Sequence, residues 1–151
     1  MKKDVDLPTE VLELLVEYYR NAYEYAFATV SNIHTLSEDS IVILSKVNQF
    51  SRLRIGAKIF GSTHSPRYIK LANVLSQFVI DDNTTDIYSG QVQFFFEHMI
   101  QLLEGPATHS LAFVRWYDKA DDCRSRFHCQ IGNDDEKICN ILNYGKGIFM
   151  N

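Results

Sequence analysis

The segment from Tyr88 to Tyr117 constrains the fold of this chain more than any other. Its first half alternates apolar and polar residues, which is typical of a strand with one face in a core. The second half, after a Gly105-Pro106 turn, is apolar on both faces, as expected for a central strand. The segment therefore predicts a β-hairpin whose first strand is nearer an edge of the sheet. The apolar residues of that first strand are Val92, Phe94, Phe96 and Ile100, with Phe95 and Met99 interrupting its polar side.

Length and composition indicate one globular domain. A chain of 151 residues can bury roughly 70% of the surface that its unfolded form exposes. No apolar run approaches the length of about 18 residues that a membrane span needs, so we expect no membrane partner. Three cysteines without an N-terminal signal peptide predict an intracellular location, in which nucleus and cytoplasm are not distinguished.

The stretch from Pro8 to Ala28 predicts an amphipathic helix, because apolar residues such as Val11, Leu15 and Tyr18 recur every three or four positions. Proline is tolerated in the first turn of a helix, and acidic residues follow near the positive end of the helix dipole. The tyrosines of this stretch offer either a recognition face or a surface that packs on a sheet, and the pattern favours packing. They are Tyr18, Tyr19, Tyr23 and Tyr25.

Charge is distributed unevenly along the chain. The segment from Ser40 to Ile80 has six basic residues and no acidic residue, so its charge is +6. The rest of the chain carries −10, which gives the net charge of −4. A basic field over the whole protein is therefore absent, but a local one is expected. The six residues are Lys46, Arg52, Arg54, Lys58, Arg67 and Lys70.

Three of these cations alternate with apolar residues, which predicts one strand with Arg52, Arg54 and Lys58 on its outer face. The spacing along such a strand is about 6–7 Å, close to the phosphate repeat of a nucleic-acid strand. The alternative interpretation is protection of an edge strand, since no aromatic residue interleaves with the cations. A polar loop from Gly61 to Arg67 and a strand from Tyr68 to Ile80 are predicted to follow.

The soft-ligand residues near the C-terminus do not have the spacing of a metal site. They lack a Cys-x-x-Cys pair, and adjacent His128 and Cys129 would point to opposite faces of a strand. We therefore expect no metal and no cofactor, with free thiols instead. A dyad of a cysteine with His98 or His109 stays open, although His98 is expected as a hydrogen-bonded core residue. The soft-ligand residues near the C-terminus are Cys123, His128, Cys129 and Cys139.

Several of these segments together resemble a known kind of module. The series 50–62, 72–79, 88–98 and 111–117 is similar to a repeated module in transposon-derived gene families of arbuscular mycorrhizal and related fungi. Its Gly-Gln-Val-Gln and Arg-Trp-Tyr strands also resemble the β-rich tail of CACTA-type transposases and, more distantly, BAH-type chromatin-reading barrels. The resemblance covers about residues 47–140 and implies an interaction or nucleic-acid-associated module without a catalytic signature. Residues 143–151 depart from the family pattern, which continues into a Trp-containing segment.

We expect one α+β domain over residues 1–142. In it, a helix of residues 8–28 packs on a mainly antiparallel, partly closed and barrel-like sheet of about five to seven strands within residues 41–142. Residues 143–151 have no periodicity and are expected to form an irregular end, as in a truncated module.

The sequence has no catalytic signature that would favour an enzyme, and the resemblance implies a binding module of mobile-element origin. Its partner would be nucleic acid or an acidic protein, contacted through Arg52, Arg54, Lys58, Arg67 and Lys70. One alternative is protein interaction or self-association through an exposed aromatic side of the hairpin, at Phe95, Phe113 and Tyr117. A more remote alternative is a Cys/His-dependent enzyme or a zinc-binding domain.

Overall fold

The structure is a computed structural model that describes residues 2–35, 37, 39–81, 84–117 and 131–140. Within these residues the chain forms one α-helix, two short 3₁₀ helices and ten strands. In chain order the elements are β1 (Lys3–Asp6), α1 (Thr9–Ala22), β2 (Phe27–Thr29), a first 3₁₀ helix (Val30–Thr35), β3 (Ile41–Ile43), β4 (Lys46–Phe50), β5 (Arg52–Ile55), β6 (Lys58–Gly61), a second 3₁₀ helix (Pro66–Leu71), β7 (Asn73–Asp81), β8 (Thr84–Leu102), β9 (Gly105–Tyr117) and β10 (Ile131–Asn140).

Strand β8 is the hub of the main sheet. It pairs antiparallel with β9 along most of its length, with β7 beside its first half and β4 beside its second half. The hairpin of β8 and β9 confirms the predicted one, but β8 is central rather than near an edge. Leu102 pairs with Gly105, so the turn consists of Leu103 and Glu104 and not of the predicted Gly105-Pro106.

The fold class is confirmed in its coarse form: strands dominate, one α-helix is present and the sheets are mainly antiparallel. The partly closed, barrel-like arrangement is not observed. The strands of the main sheet follow the order β1-β4-β8-β9-β10, with β7 off this path, and the described residues show no pairing between β1 and β10. Two further sheets have two strands each: β2 pairs parallel with β3, and β5 pairs antiparallel with β6.

A β-bulge in β8 gives the main sheet two cores on opposite faces. Val92 pairs with Val114 but Phe94 pairs with Phe113, so Gln93 is an extra residue in β8. Val92 and Phe94 therefore lie on opposite faces, although simple alternation predicts that they share one. Phe95 in consequence lies on the same face as Val92 and is buried, where the sequence pattern predicts a polar side.

The two cores are covered by different elements. The first lies under α1 and consists of Leu7, Val11, Leu15, Val16, Tyr19, Phe27, Ile43, Val47, Phe94, Phe96, Ile100, Leu111 and Phe113. The second lies under the β5–β6 hairpin and consists of Phe60, Val74, Val92, Phe95, Ala112, Val114 and Trp116. Together these two cores bury aromatic side chains of the β8–β9 hairpin on both faces of the main sheet.

The predicted amphipathic helix is present, but it is shorter than expected. It ends at Ala22 rather than near Ala28, because Tyr23 is already extended (φ −136°, ψ 151°) and the chain then enters β2. All three residues of β2 are buried, so a strand at this point buries Phe27 and its neighbours beside β3. Strands β1 and β2 precede residue 41, where the β-rich part was expected to begin. Residues 143–151 lie outside the described residues.

Candidate functional site

The predicted cationic strand is a hairpin. Arg52–Ile55 and Lys58–Gly61 are two antiparallel strands, in which Ile55 pairs with Lys58 across a two-residue turn. Gly56, at the first turn position, has φ +59°, and Ala57 does not have positive φ. This is the pattern of a type II′ hairpin turn, in which the first position favours glycine. The predicted alternation of cations and apolar residues is present, but the turn divides it between two strands.

The hairpin separates the three predicted cations. Arg52 and Arg54 are exposed, while Leu53 between them packs against the second core. Lys58 lies opposite Ile55, which also packs on that core, so Lys58 shares the inner face at the exposed end of the hairpin. The expected row of Arg52, Arg54 and Lys58 on one face is therefore not formed.

A short helix brings the remaining cations to the hairpin. The residues expected to begin a strand at Tyr68 instead form the second 3₁₀ helix, and β7 begins only at Asn73. Pro66 stands at the start of this helix, where a missing N–H costs no hydrogen bond. The backbone of Tyr68 lies directly over Gly61 of β6, where a Cβ atom would collide with its carbonyl group.

Two arginines lie near the ring of Tyr68. The guanidinium carbon of Arg52 and that of Arg67 each lie 5.6 Å from the centroid of the Tyr68 ring. Nη1 of Arg52 also lies 3.4 Å from the Tyr68 hydroxyl oxygen. We call Arg52, Arg67 and Tyr68 the Tyr68 cluster. The basic surface consists of this cluster together with Arg54 and Lys70, which are exposed.

The cations of the basic surface have no carboxylate partner among the side chains that the structure describes. Among the described residues, an ion pair joins Lys2 to Glu97, at 2.6 Å, on another part of the main sheet. Arg54 instead donates from Nε to the carbonyl of Gly56, at 3.1 Å. The positive charge of this surface is therefore not neutralised by the described part of the protein.

The segment before the second 3₁₀ helix joins the basic surface to β8. Val92 lies in β8 between the stretch that pairs with β7 and the stretch that pairs with β4. Its carbonyl accepts from the N–H of Thr63 at 3.0 Å, and its N–H donates to the carbonyl of Ala72 at 2.8 Å. The Thr63 hydroxyl donates to the carbonyl of Gln93, the bulge residue, at 3.0 Å. The bulge thus fixes both ends of the segment that carries Arg67 and Tyr68.

The aromatic residues proposed for protein interaction do not share an exposed face. Phe95 is fully buried in the second core, and Phe113 is 6% exposed in the first core on the other face of the sheet. Tyr117 is half-buried, and its hydroxyl lies 3.5 Å from Oδ1 of Asn73. The bulge puts Phe95 and Phe113 on opposite faces of the sheet, where the β5–β6 hairpin covers Phe95 and α1 covers Phe113.

The histidines of the hairpin are hydrogen-bonded to tyrosines of the helical region. His98 and His109 pair across β8 and β9 and lie on the side that α1 covers. Nδ1 of His98 lies 2.8 Å from the hydroxyl of Tyr19, and Nε2 of His109 lies 2.8 Å from the hydroxyl of Tyr23. Burial lowers the pKa of both imidazoles and raises the pKa of Tyr19.

His98 is held in a defined tautomer. Its Nε2 lies 3.0 Å from the carbonyl oxygen of Leu44, which can only accept, so Nε2 carries the hydrogen. Nδ1 then accepts from the Tyr19 hydroxyl, and both ring nitrogens are satisfied in the neutral form. The expected hydrogen-bonded core histidine on the Phe94 and Phe96 face is what the structure shows.

The proposed thiol chemistry falls on residues whose side chains are not described. Cys123, His128 and Cys129 lie outside the described residues, and Cys139 lies in β10, of which the backbone alone is described. In the part of the chain that is described, no group of three or more His, Cys, Asp and Glu residues is placed to hold a metal ion. None of the described helices is both long and apolar enough to cross a membrane.

The fold and the site together define a β-rich α+β domain with an exposed, unneutralised basic surface around Tyr68. No protein-family model, curated protein or solved structure matches the chain. The resemblance to modules of transposon-derived genes therefore stays a prediction. Tyr68 itself was missed as a site residue because it is 16 positions from Arg52, and the hairpin brings the two together.

Proposed function

We propose that this protein is a non-enzymatic module that binds nucleic-acid phosphates through its basic surface, at Arg52, Arg54, Arg67 and Lys70. The observation that carries the proposal is the Tyr68 cluster, in which two guanidinium groups lie on one ring without a carboxylate partner in the described residues. A mobile-element origin is part of the proposal and rests on the sequence resemblance.

Arginine is well suited to this role. Its planar guanidinium group is weakly hydrated and matches two phosphate oxygens at once, so it binds phosphate with less desolvation than an ammonium group. The Tyr68 ring lies near both Arg52 and Arg67, so the two guanidinium groups lie on one part of the surface, where they can reach phosphates of one strand.

The basic surface is small, which sets an upper limit on its electrostatic contribution. Four cations contact at most about four phosphates, and each neutralised phosphate contributes about −0.7 to the salt slope of single-strand binding. We therefore expect the logarithm of the association constant to fall with the logarithm of salt concentration with a slope no steeper than about −3.

The test is a fluorescence-anisotropy titration of the full chain with a labelled oligonucleotide, repeated over a series of KCl concentrations. The variant Arg52→Ala/Arg67→Ala removes both guanidinium groups of the Tyr68 cluster and should make the slope shallower by about 1.4. The matched control is Lys3→Ala/Lys46→Ala, which removes the same charge from exposed positions on β1 and β4. The control should leave most of the slope unchanged.

Two results of the salt titrations would contradict the proposal. Binding that does not respond to salt would exclude phosphate contact as its basis, and equal losses in both double variants would show only a response to net charge. An acidic polypeptide, poly-glutamate, serves as the competing ligand. If it binds with the same dependence on Arg52 and Arg67 while the oligonucleotide does not bind, the partner is an acidic protein.

A further inference from the structure

We propose that the ligand of the basic surface is single-stranded nucleic acid, and that Tyr68 stacks on one unpaired base. This inference rests on the phosphate-binding function proposed above and adds the class of nucleic acid. It is carried by the position of an aromatic ring among the phosphate-binding cations.

The backbone of Tyr68 is held firmly in place. Its N–H donates to the carbonyl of Ser65 at 2.9 Å, and its own backbone packs on Gly61. Ser62, which is buried beside Gly61, donates from its hydroxyl to the carbonyl of Ser51 at 2.7 Å and so ties this segment to the β4–β5 connection. The ring is therefore presented by a fixed segment although the side chain itself is only half-buried.

The ring can accept a base by exchange with one guanidinium group. Both arginines are exposed, and a cation–π contact is weak at an exposed site because water competes for the cation. A base that stacks on Tyr68 would displace Arg52 or Arg67 from the ring, and the displaced guanidinium is then available for the neighbouring phosphate. One ring and two cations thus match a single nucleotide unit, which has one base and one phosphate on each side.

Duplex nucleic acid cannot use this arrangement fully. Its bases are stacked on each other, and only their edges are presented in the grooves. A duplex therefore offers phosphates to Arg52 and Arg67 but no base face to Tyr68. Single strands offer both, because every unpaired base has a π-face and the contact needs no particular sequence.

The experiment compares three labelled ligands on the full chain at one salt concentration. They are an oligo-dT strand of about 12 nucleotides, a duplex containing the same strand, and an abasic strand of the same length that keeps the phosphates. The oligo-dT strand should bind about tenfold more tightly than the abasic strand, which lacks the stacking contribution. It should also bind more tightly than the duplex.

Variants at position 68 assign the preference to the ring. Tyr68→Leu should lower the affinity for oligo-dT about tenfold and leave the affinity for the abasic strand unchanged. Tyr68→Phe keeps a stacking face and should retain the preference, and its thermal unfolding shows whether the segment tolerates substitution. If Tyr68→Leu does not fold, the comparison of oligo-dT with the abasic strand for the unsubstituted chain decides the matter.

Failure of this inference can be distinguished from failure of the proposed function. Equal affinity for oligo-dT, duplex and abasic strand, all dependent on Arg52 and Arg67, would overturn base stacking and leave phosphate binding intact. No binding to any of the three ligands would overturn both.

Discussion

The hydroxyl of Tyr19 and Nδ1 of His98 lie 2.8 Å apart, and their hydrogen bond joins α1 to β8 at a point where both side chains are almost fully buried. The same imidazole donates to the carbonyl of Leu44, between β3 and β4. One side chain therefore connects three elements that are distant in sequence. Burial favours the neutral form of His98, since no carboxylate among the described residues is hydrogen-bonded to either ring nitrogen.

Replacing Tyr19 by Phe should destabilise the fold by about 1–3 kcal/mol, because Nδ1 of His98 loses its donor in a buried site. Urea unfolding followed by circular dichroism measures the change. The matched control is Tyr23→Phe, which removes the hydroxyl that is bonded to half-buried His109, where water can replace it. An equal effect of the two substitutions would show that the burial of His98 does not determine the cost.

The stability of the fold should fall as the pH falls through about 6.5. Burial lowers the pKa of His98 and His109 below the ordinary value of about 6.5, so the unfolded chain binds their protons at a higher pH than the folded chain does. The free energy of unfolding then decreases with falling pH by up to about 1.4 kcal/mol per pH unit for each histidine. It levels off below the folded pKa values. Half-buried His109 should contribute the smaller share.

The origin of this slope can be tested with histidine variants in urea titrations between about pH 5 and pH 8. His98→Gln should flatten the slope, since glutamine is neutral throughout the range. His64→Gln is the control, because His64 is exposed and packs only its ring face on Phe94. The groups around His98 are Tyr19 and His109, together with the Leu44 carbonyl. The Glu104 carboxyl, whose pKa is lowered by its hydrogen bond from Tyr25, titrates at lower pH.

The long periodic segments were predictable from the sequence, and the changes of direction within them were not. The helix and the β8–β9 hairpin follow from apolar periods sustained over many residues. The bulge at Gln93 was not visible because a glutamine between Val92 and Phe94 fits ordinary alternation. The turn at Gly56 was hidden in the same way, because alternation continues across it.

The candidate site was predictable in its charges but not in its geometry. The absence of acidic residues between Ser40 and Ile80 is a property of the sequence alone. The place of Tyr68 among the cations depends on the β5–β6 turn and on the close approach of its backbone to Gly61. The contact of Tyr68 with Arg52 depends on tertiary structure, whereas Arg67 is its neighbour in the sequence.

Gly90→Ala should destabilise the second core by about 1–3 kcal/mol, because a Cβ atom there would lie 2.6 Å from Cε3 of Trp116. Gly90 and Trp116 are paired across β8 and β9. Trp116 is the single tryptophan of the chain, so a shift in its fluorescence reports the displacement directly. Ser89→Ala, at the adjacent position on the other face of β8, is the control and should change neither stability nor emission.

The β5–β6 hairpin makes a prediction for two residues that share one face of β8 beyond the bulge, because it covers only one of them. Phe95 and Met99 both interrupt the polar side in the sequence, but Phe95 is fully buried whereas Met99 is 68% exposed. Phe95→Ala should therefore cost about 3–5 kcal/mol through loss of buried area and the cavity that remains. Met99→Ala should change the free energy of unfolding by no more than about 0.5 kcal/mol. Equilibrium unfolding of the two variants in urea measures both values, and similar costs would contradict the placement of Phe95 beneath the β5–β6 hairpin.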